Sequence, residues 1–232
     1  MDHPEGVIVV DTGESSKTAR PDYFPGWHPY YRTSVRMKVE PEDEIGPQLA
    51  AMGIRASDVR TVVLTHLHTD HAGGLHHFPD SQIFASRKDY RLARGLVGRG
   101  LGYLPQHWPR WFAPKSIEFD PEPLGAFQSS CRVTRAGDVR IVPTPGHTPA
   151  HVSVIVRTDG ASYFLAGDTT YTQQLLLEQK ADGVSPRPGI ALKTISTILE
   201  HARMTPTLYL PSHDPECVRR MESREFLQPR SV

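Results

Sequence analysis

The chain has 232 residues, of which 38% are hydrophobic, and this is enough to enclose the core of one domain. Its 26 lysine and arginine residues equal its 26 aspartate and glutamate residues, so the overall charge gives no support for nucleic-acid binding. No run approaches the roughly 20 apolar residues of a membrane-spanning helix, and Met1 opens nothing like a signal peptide. Two cysteines form no disulfide framework, so a cytoplasmic location is expected.

Strands and helices alternate along the sequence, which predicts an α/β fold. β-branched and apolar runs predict strands near residues 7–10, 61–65, 139–143, 162–167 and 207–211. A first helix is expected to open at Pro41, with Ile45, Leu49 and Met52 on one face and Gly53 as its stop. A second helix is expected from Pro188 to about Arg203, with apolar residues at helical spacing.

The strand at 61–65 runs directly into the sequence Thr-His-Leu-His-Thr-Asp-His-Ala-Gly-Gly at residues 65–74. Neutral imidazole and carboxylate are the usual ligands of zinc and similar divalent metals. At a strand end, His66 and His68 would share a direction, whereas Asp70 and His71 follow the turn and can point to a second position. Four ligands exceed the needs of one open site, so the motif predicts two adjacent metals.

Three later strand ends offer further ligands for such a pair of metals. Pro145 and Gly146 end one strand sharply and would present His147 at its tip. The strand at 162–167 ends at Asp168, and the strand at 207–211 runs into His213. A single histidine or aspartate after a strand is usually a cap or a surface residue. Three in series behind the first motif indicate a shared site.

Together these motifs resemble the metallo-β-lactamase superfamily over residues 7 to about 216. The resemblance implies an αββα sandwich that forms one hydrolase domain over residues 1–232 and binds two Zn²⁺ ions, or other divalent first-row metals. Asp11 and His151 would support the ligands without binding metal. One metal would be held by His66, His68 and His147, the other by Asp70, His71 and His213, with Asp168 bridging them. True β-lactamases have no bridging aspartate there, which argues against antibiotic hydrolysis.

The segment from Asp168 to Tyr171, with a predicted helix at 172–178, resembles the N-acyl-homoserine lactonases, which are quorum-quenching enzymes. In that family a metal-bridging hydroxide attacks the lactone carbonyl, and the tyrosine hydrogen-bonds the substrate near this carbonyl. By resemblance Tyr171 and Asp70 would be catalytic, with Asp70 carrying the proton to the leaving ring oxygen. The implied partner is a small-molecule lactone, with neither nucleic acid nor membrane, and a homodimer is allowed.

Three alternatives remain for the activity. A glyoxalase II-like thioester hydrolase shares all seven ligands, but its basic C-terminal region has little room in the residues after His213. A ribonuclease Z-like nuclease would need a basic surface, and the local cluster at residues 87–99 is explained equally well as a solvated helix face. A metal-binding protein without catalysis is the third alternative, which the complete ligand set and Tyr171 disfavour.

Two irregular, aromatic-rich segments at 21–31 and 95–112 are predicted to shape the substrate pocket, although their side chains would serve equally to anchor long loops to the core. Superfamily members carry one or two strands before the one at residues 7–10. The sandwich is therefore predicted to lack its first N-terminal strands, with reduced stability or self-association as the expected result.

Overall fold

Strands and helices alternate through the chain, which confirms the predicted α/β class. The computed structural model describes residues 1–158 and 160–229. The chain divides into two units, Met1–Ser116 and Ile117–Val232. That residues 1–232 act as one hydrolase domain stays a prediction. Among the described residues, no helix is both long enough and apolar enough to cross a membrane.

The first unit contains a four-stranded sheet in which every neighbouring pair is parallel. Its strands, in spatial as well as chain order, are β1 (Val7–Val10), β2 (Val59–Val63), β3 (Gln82–Ala85) and β4 (Lys115–Ser116). Val62 and Val63 on β2 are fully buried, as expected for a strand covered on both faces. Because all four strands point the same way, their carboxyl ends lie along one edge of the sheet.

Five short helices belong to this unit: α1 (Pro29–Thr33), α2 (Ile45–Ala51), α3 (Thr69–Ala72), α4 (Arg87–Arg94) and α5 (Leu96–Gly100). Turns of 3₁₀ helix lie at Ser16–Ala19, Pro41–Asp43, Ala56–Asp58, Gly73–His77 and Pro105–His107. The basic side chains at 87–99 are exposed along α4 and α5, as a solvated face requires.

The helix predicted to open at Pro41 is divided into two parts. Pro41–Asp43 forms a 3₁₀ turn, and α2 follows with Glu44 as its N-cap residue. Leu49 is buried as predicted, but Met52 is 68% exposed, so its placement on the buried face was wrong. The reason is that α2 ends at Ala51, and the chain leaves the helix through Gly53 at φ 78°.

The two aromatic-rich segments pack against each other within the first unit. Tyr31 donates a hydrogen bond to the carbonyl of Gly102, and the ring of Tyr23 stacks on that of His107 at a centroid distance of 4.0 Å. Trp27 remains 63% exposed. These contacts show that several aromatic side chains anchor the segments, while their role in a substrate pocket stays a prediction.

The second unit contains a five-stranded sheet of mixed direction. Its strands, again in spatial as well as chain order, are β5 (Cys131–Arg132), β6 (Val139–Pro143), β7 (Val152–Thr158), β8 (Ala161–Gly167) and β9 (Thr207–Pro211). β5 to β8 pair antiparallel, and β9 pairs parallel to β8. β6, β8 and β9 therefore run in the same direction, and their carboxyl ends share one edge.

The described part of this unit also contains the helices α6 (Gln173–Leu177), α7 (Pro188–Met204) and α8 (Cys217–Ser223). The predicted helix from Pro188 is confirmed as α7. It buries Ile195, Ile198 and Leu199 against Phe164 and neighbouring side chains of the sheet, and this packing forms the core of the unit. Cys131 is buried, and Cys217 is partly exposed.

Candidate metal centre

The first two predicted ligands follow β2 after Leu64 and Thr65, because the strand predicted to run to residue 65 ends at Val63. His66 is buried and His68 is partly exposed, and His66 Nε2 lies 3.0 Å from His68 Nδ1. The ring of His68 also lies beside that of Tyr103, with centroids 4.7 Å apart. The predicted common direction of these two histidines is therefore found within the first unit. Two ring nitrogens at this separation can approach one cation together.

The next two predicted ligands lie on α3, which begins at Thr69. Asp70 Oδ2 is 3.6 Å from His71 Nε2, so a carboxylate and an imidazole face each other here. His71 is 2% exposed, whereas Asp70 retains contact with solvent. The ring of His71 also lies beside that of His66, with centroids 4.0 Å apart, so the two pairs meet within the first unit. That Asp70 and His71 serve a second metal position stays a prediction.

Asp11, at the end of β1, holds both His71 and the strand end in place. Its Oδ2 accepts a hydrogen bond of 2.8 Å from His71 Nδ1, and its Oδ1 accepts one of 2.7 Å from the backbone N–H of Thr65. Because Nδ1 donates to this carboxylate, the lone pair of His71 remains on Nε2. The supporting role implied for Asp11 agrees with these contacts.

Asp89 on α4 is a second supporting carboxylate, which the sequence analysis missed. It is 1% exposed and accepts hydrogen bonds from the backbone N–H of Leu67 at 3.1 Å and from the Tyr103 hydroxyl at 2.7 Å. Leu67 lies between the two strand-end histidines, so Asp89 fixes the backbone that carries them. The available signal was a single acidic residue inside an otherwise basic helix.

Glu14 supports the start of α3 through a buried hydrogen-bond group. Its Oε1 accepts hydrogen bonds from the Tyr23 hydroxyl at 2.7 Å, the Ser15 backbone N–H at 2.8 Å and the Thr69 hydroxyl at 3.1 Å. Burial raises the pKa of Glu14 even though these donors favour the ionised form. This carboxyl group therefore holds Thr69 in place at some cost in desolvation.

In the second unit, the three remaining predicted ligands follow β6, β8 and β9. Asp168 Oδ2 lies 3.6 Å from His147 Nε2 and 3.2 Å from His213 Nε2. His147 and Asp168 are buried, whereas the side chain of His213 is 42% exposed. One carboxylate oxygen thus faces two imidazoles, and this is the arrangement that a bridging ligand requires within this unit.

Asp182 orients His147 and is the clearest residue that the sequence analysis missed. Its Oδ2 accepts a hydrogen bond of 2.9 Å from His147 Nδ1, and its Oδ1 accepts one of 2.6 Å from the backbone N–H of Ser185. Burial would raise the pKa of Asp182, but the bonds from His147 and Ser185 hold it below its usual range. Because Nδ1 donates to this carboxylate, the lone pair of His147 lies on Nε2, which can bind a cation.

His151 fixes the backbone of the bridging aspartate. Its Nε2 accepts a hydrogen bond of 3.0 Å from the backbone N–H of Asp168, so its Nδ1–H donates to the Thr144 hydroxyl at 2.9 Å. The supporting role implied for His151 agrees with these bonds. His151 is 1% exposed, so it lies inside the unit.

Tyr171 lies beside two of the predicted ligands of the second unit. Its ring centroid is 6.1 Å from that of His147 and 5.3 Å from that of His213. Tyr171 is partly exposed. α6 follows after Thr172, whose side chain caps the helix by accepting from the backbone N–H of Leu175.

The donor sets of both units fit divalent metals. Each unit supplies imidazole nitrogens and carboxylate oxygens, which zinc and related first-row ions bind well. His71 and His147 each donate their second ring nitrogen to a carboxylate, as metal-binding histidines usually do. The seven predicted ligands thus form groups of four and three, with each group assembled inside its own unit.

Comparison with known proteins points to one family. A family model described as the metallo-beta-lactamase superfamily matches residues 1–213. A probable metallo-hydrolase of Mycobacterium tuberculosis is 31% identical over 175 residues, which cover 72% of this chain and 54% of that protein. The chain thus spans about half the length of this relative. N-acyl homoserine lactonase AttM of Agrobacterium fabrum is 27% identical over 225 residues, which cover 92% of this chain and 80% of that protein.

A solved structure gives the same result. The AiiA mutant of B. thuringiensis with N-decanoyl-L-homoserine bound at its active site superposes with a TM-score of 0.77 at 25% sequence identity. The match covers 97% of this chain and 84% of that one. The predicted fold class is thereby confirmed.

Proposed function

Because the chain belongs to the metallo-beta-lactamase superfamily, we propose that it is a metal-dependent hydrolase that opens the lactone ring of N-acyl-homoserine lactones. The observation that carries the proposal is the position of Tyr171, three residues after Asp168 and beside His147 and His213. Relatives named as N-acyl homoserine lactonases match 92% of the chain, which supports the same substrate class.

The proposed site holds two divalent metals, of which zinc suits the donors best. The local geometry of each unit supports this assignment. His66 and His68 form one pair of donors, Asp70 and His71 form a second, and Asp168 faces both His147 and His213. The full set proposed as ligands is His66, His68 and His147 for one metal, Asp70, His71 and His213 for the other, and Asp168 for both.

The bound metals would supply an activated water at neutral pH and would polarise the substrate carbonyl. In the proposed reaction, the Tyr171 hydroxyl donates a hydrogen bond to the carbonyl oxygen as negative charge develops on it. The water oxygen forms a bond to the carbonyl carbon, and the bond from this carbon to the ring oxygen breaks. Asp70 accepts a proton from the water and returns it to the ring oxygen, which gives an open N-acyl-homoserine.

The test is hydrolysis of a short-chain and a long-chain N-acyl-homoserine lactone by metal-replete protein, with S-lactoylglutathione assayed in parallel. Asp168→Ala is expected to abolish lactone opening, and Tyr171→Phe to lower kcat about 100-fold, the loss typical of one removed oxyanion donor. Tyr163→Phe, on β8, is the matched control and is expected to retain full activity. Thioester turnover with inert lactones would reject the proposal in favour of a glyoxalase II-like hydrolase.

A further inference from the structure

A second group of metal-binding side chains lies in the first unit, directly after the motif at residues 65–74. It consists of Glu44, the N-cap residue of α2, with His76 and His77 from the 3₁₀ turn after α3. One donor atom from each residue lies within 4.8 Å of the other two. We propose that these three side chains bind one divalent first-row transition metal, in addition to those of the catalytic site.

Glu44 supplies a fixed carboxylate ligand. Its side chain is 7% exposed, and its Oε1 accepts hydrogen bonds from the backbone N–H of Ser16 at 2.7 Å and from the Ser16 hydroxyl at 2.5 Å. Its Oε2 lies 3.1 Å from His76 Nε2 and 2.7 Å from His77 Nε2. Burial alone would raise the pKa of Glu44, but these bonds lower it to about 2, so the carboxylate is ionised at neutral pH.

His76 turns one ring nitrogen toward a backbone carbonyl and the other toward Glu44. His76 Nδ1 lies 3.3 Å from the carbonyl oxygen of Gly73, which can only accept, so the ring proton is on Nδ1. Nε2 faces Oε2 of Glu44 at 3.1 Å, so in the neutral ring its lone pair is directed at the carboxylate. A divalent metal ion can bind both of these atoms.

Gly46 makes room for the third ligand. A Cβ atom at this position would lie 2.4 Å from His77 Nδ1, so a larger residue would displace the ring. The rings of His76 and His77 are close together, with centroids 4.1 Å apart. Two imidazoles and one carboxylate on one side of an ion leave positions for water, a donor set that suits Zn²⁺, Co²⁺ or Ni²⁺.

The experiment is equilibrium dialysis of the protein against buffered Zn²⁺, followed by measurement of zinc per chain by mass spectrometry. The double variant His76→Gln/His77→Gln is expected to bind one zinc fewer than wild type. His3→Gln removes a histidine elsewhere on the surface and is expected to bind as much as wild type. The measured quantity is a difference of one zinc ion per chain, so the result does not depend on whether the proposed catalytic site hydrolyses lactones.

A second variant makes the test independent of the loss of histidine. Gly46→Ala keeps all three ligands but displaces His77, so the affinity for the additional zinc is expected to fall at least tenfold. Circular dichroism checks that both variants are folded. Equal zinc content in wild type and the double variant would overturn the proposal and leave Glu44, His76 and His77 as an ion-paired group. Unchanged affinity in folded Gly46→Ala protein would contradict the proposed role of His77.

Discussion

The contact between Asp182 and His147 leads to the sharpest prediction, which concerns Asp182→Asn. The backbone N–H groups of Ser185 and Val184 bond Oδ1 of Asp182 at 2.6 and 3.3 Å, so an asparagine would keep its carbonyl oxygen there. Its amide nitrogen would then face Nδ1 of His147, where the carboxylate oxygen now accepts a bond of 2.9 Å. Two donors cannot share this position, so the ring would move its proton to Nε2 or turn away.

Either response removes the lone pair that His147 offers to a metal. Loss of such an outer partner usually lowers metal affinity about 10- to 100-fold, which corresponds to about 1.4–2.7 kcal/mol. We expect the upper part of this range because Asp182 is buried and no solvent reaches the bond to replace it. The substitution changes no proposed ligand, so the expected loss comes from orientation and charge alone.

The assay is competition for zinc against a chromophoric chelator, with nitrogen NMR of His147 to identify the protonated ring atom. Ser185→Ala is the matched control, since its backbone N–H still bonds Asp182, and its affinity is expected to equal that of wild type. If Asp182→Asn binds zinc within twofold of wild type while folded, the reasoning about this hydrogen bond is refuted.

Three further predictions concern stability. Gly146→Ala would place a Cβ atom 2.8 Å from Ala191 on α7, and we expect a loss of about 1–3 kcal/mol in urea unfolding. Arg220→Met would remove the buried partner of Asp214, now at 2.6 Å, at an expected cost of about 3–5 kcal/mol in the same assay. Burial raises the pKa of Glu14 above its unfolded value near 4.5, so ionisation of this group destabilises the folded state. The free energy of unfolding of wild type, relative to that of Glu14→Gln, should therefore fall as pH rises from 4.5 through the folded pKa.

Matched controls separate these effects from general damage. Gly189 lies on α7, and a Cβ atom added there meets no atom within 4 Å. Gly189→Ala is therefore expected to leave stability unchanged or slightly improved. Arg219→Met removes only exposed ion pairs and should have little effect on unfolding. If Gly189→Ala loses as much stability as Gly146→Ala, the packing argument is contradicted. If Arg219→Met loses as much stability as Arg220→Met, the ion-pair argument is contradicted. A stability difference from Glu14→Gln that does not change with pH would contradict the third prediction.

The strands that carry the proposed ligands were predictable because their sequences have a strong physical pattern. β1, β2, β6, β8 and β9 are short runs rich in β-branched and apolar residues, and all except β2 end at or directly before a polar residue, a proline or a glycine. The histidine motif after β2 identified the metal chemistry in the same way. Local patterns of this kind carry enough information to place the side chains that follow a strand.

The supporting residues could not be predicted in this way because their partners are distant in sequence. Asp182 follows no strand and bonds a histidine from another segment, so nothing in its neighbourhood indicates a role. Asp89 lies on a basic helix that suggested only a solvated face. Glu44 lies within the helix that was predicted to open at Pro41, and nothing there indicates that its side chain bonds Ser16 and two histidines. Tertiary packing alone brings such partners together.

The parallel pairing of β9 with β8 has a consequence for how the second unit folds. β6, β7 and β8 are joined by short connections and can pair early, whereas β9 must wait for the long crossover through α6 and α7. Closing such a loop costs conformational entropy before the native contacts of β9 form and offset that cost, so pairing across the loop is intrinsically slow. In this order of events, His213 reaches Asp168 last. Metal uptake during refolding would therefore follow the pairing of β9 with β8.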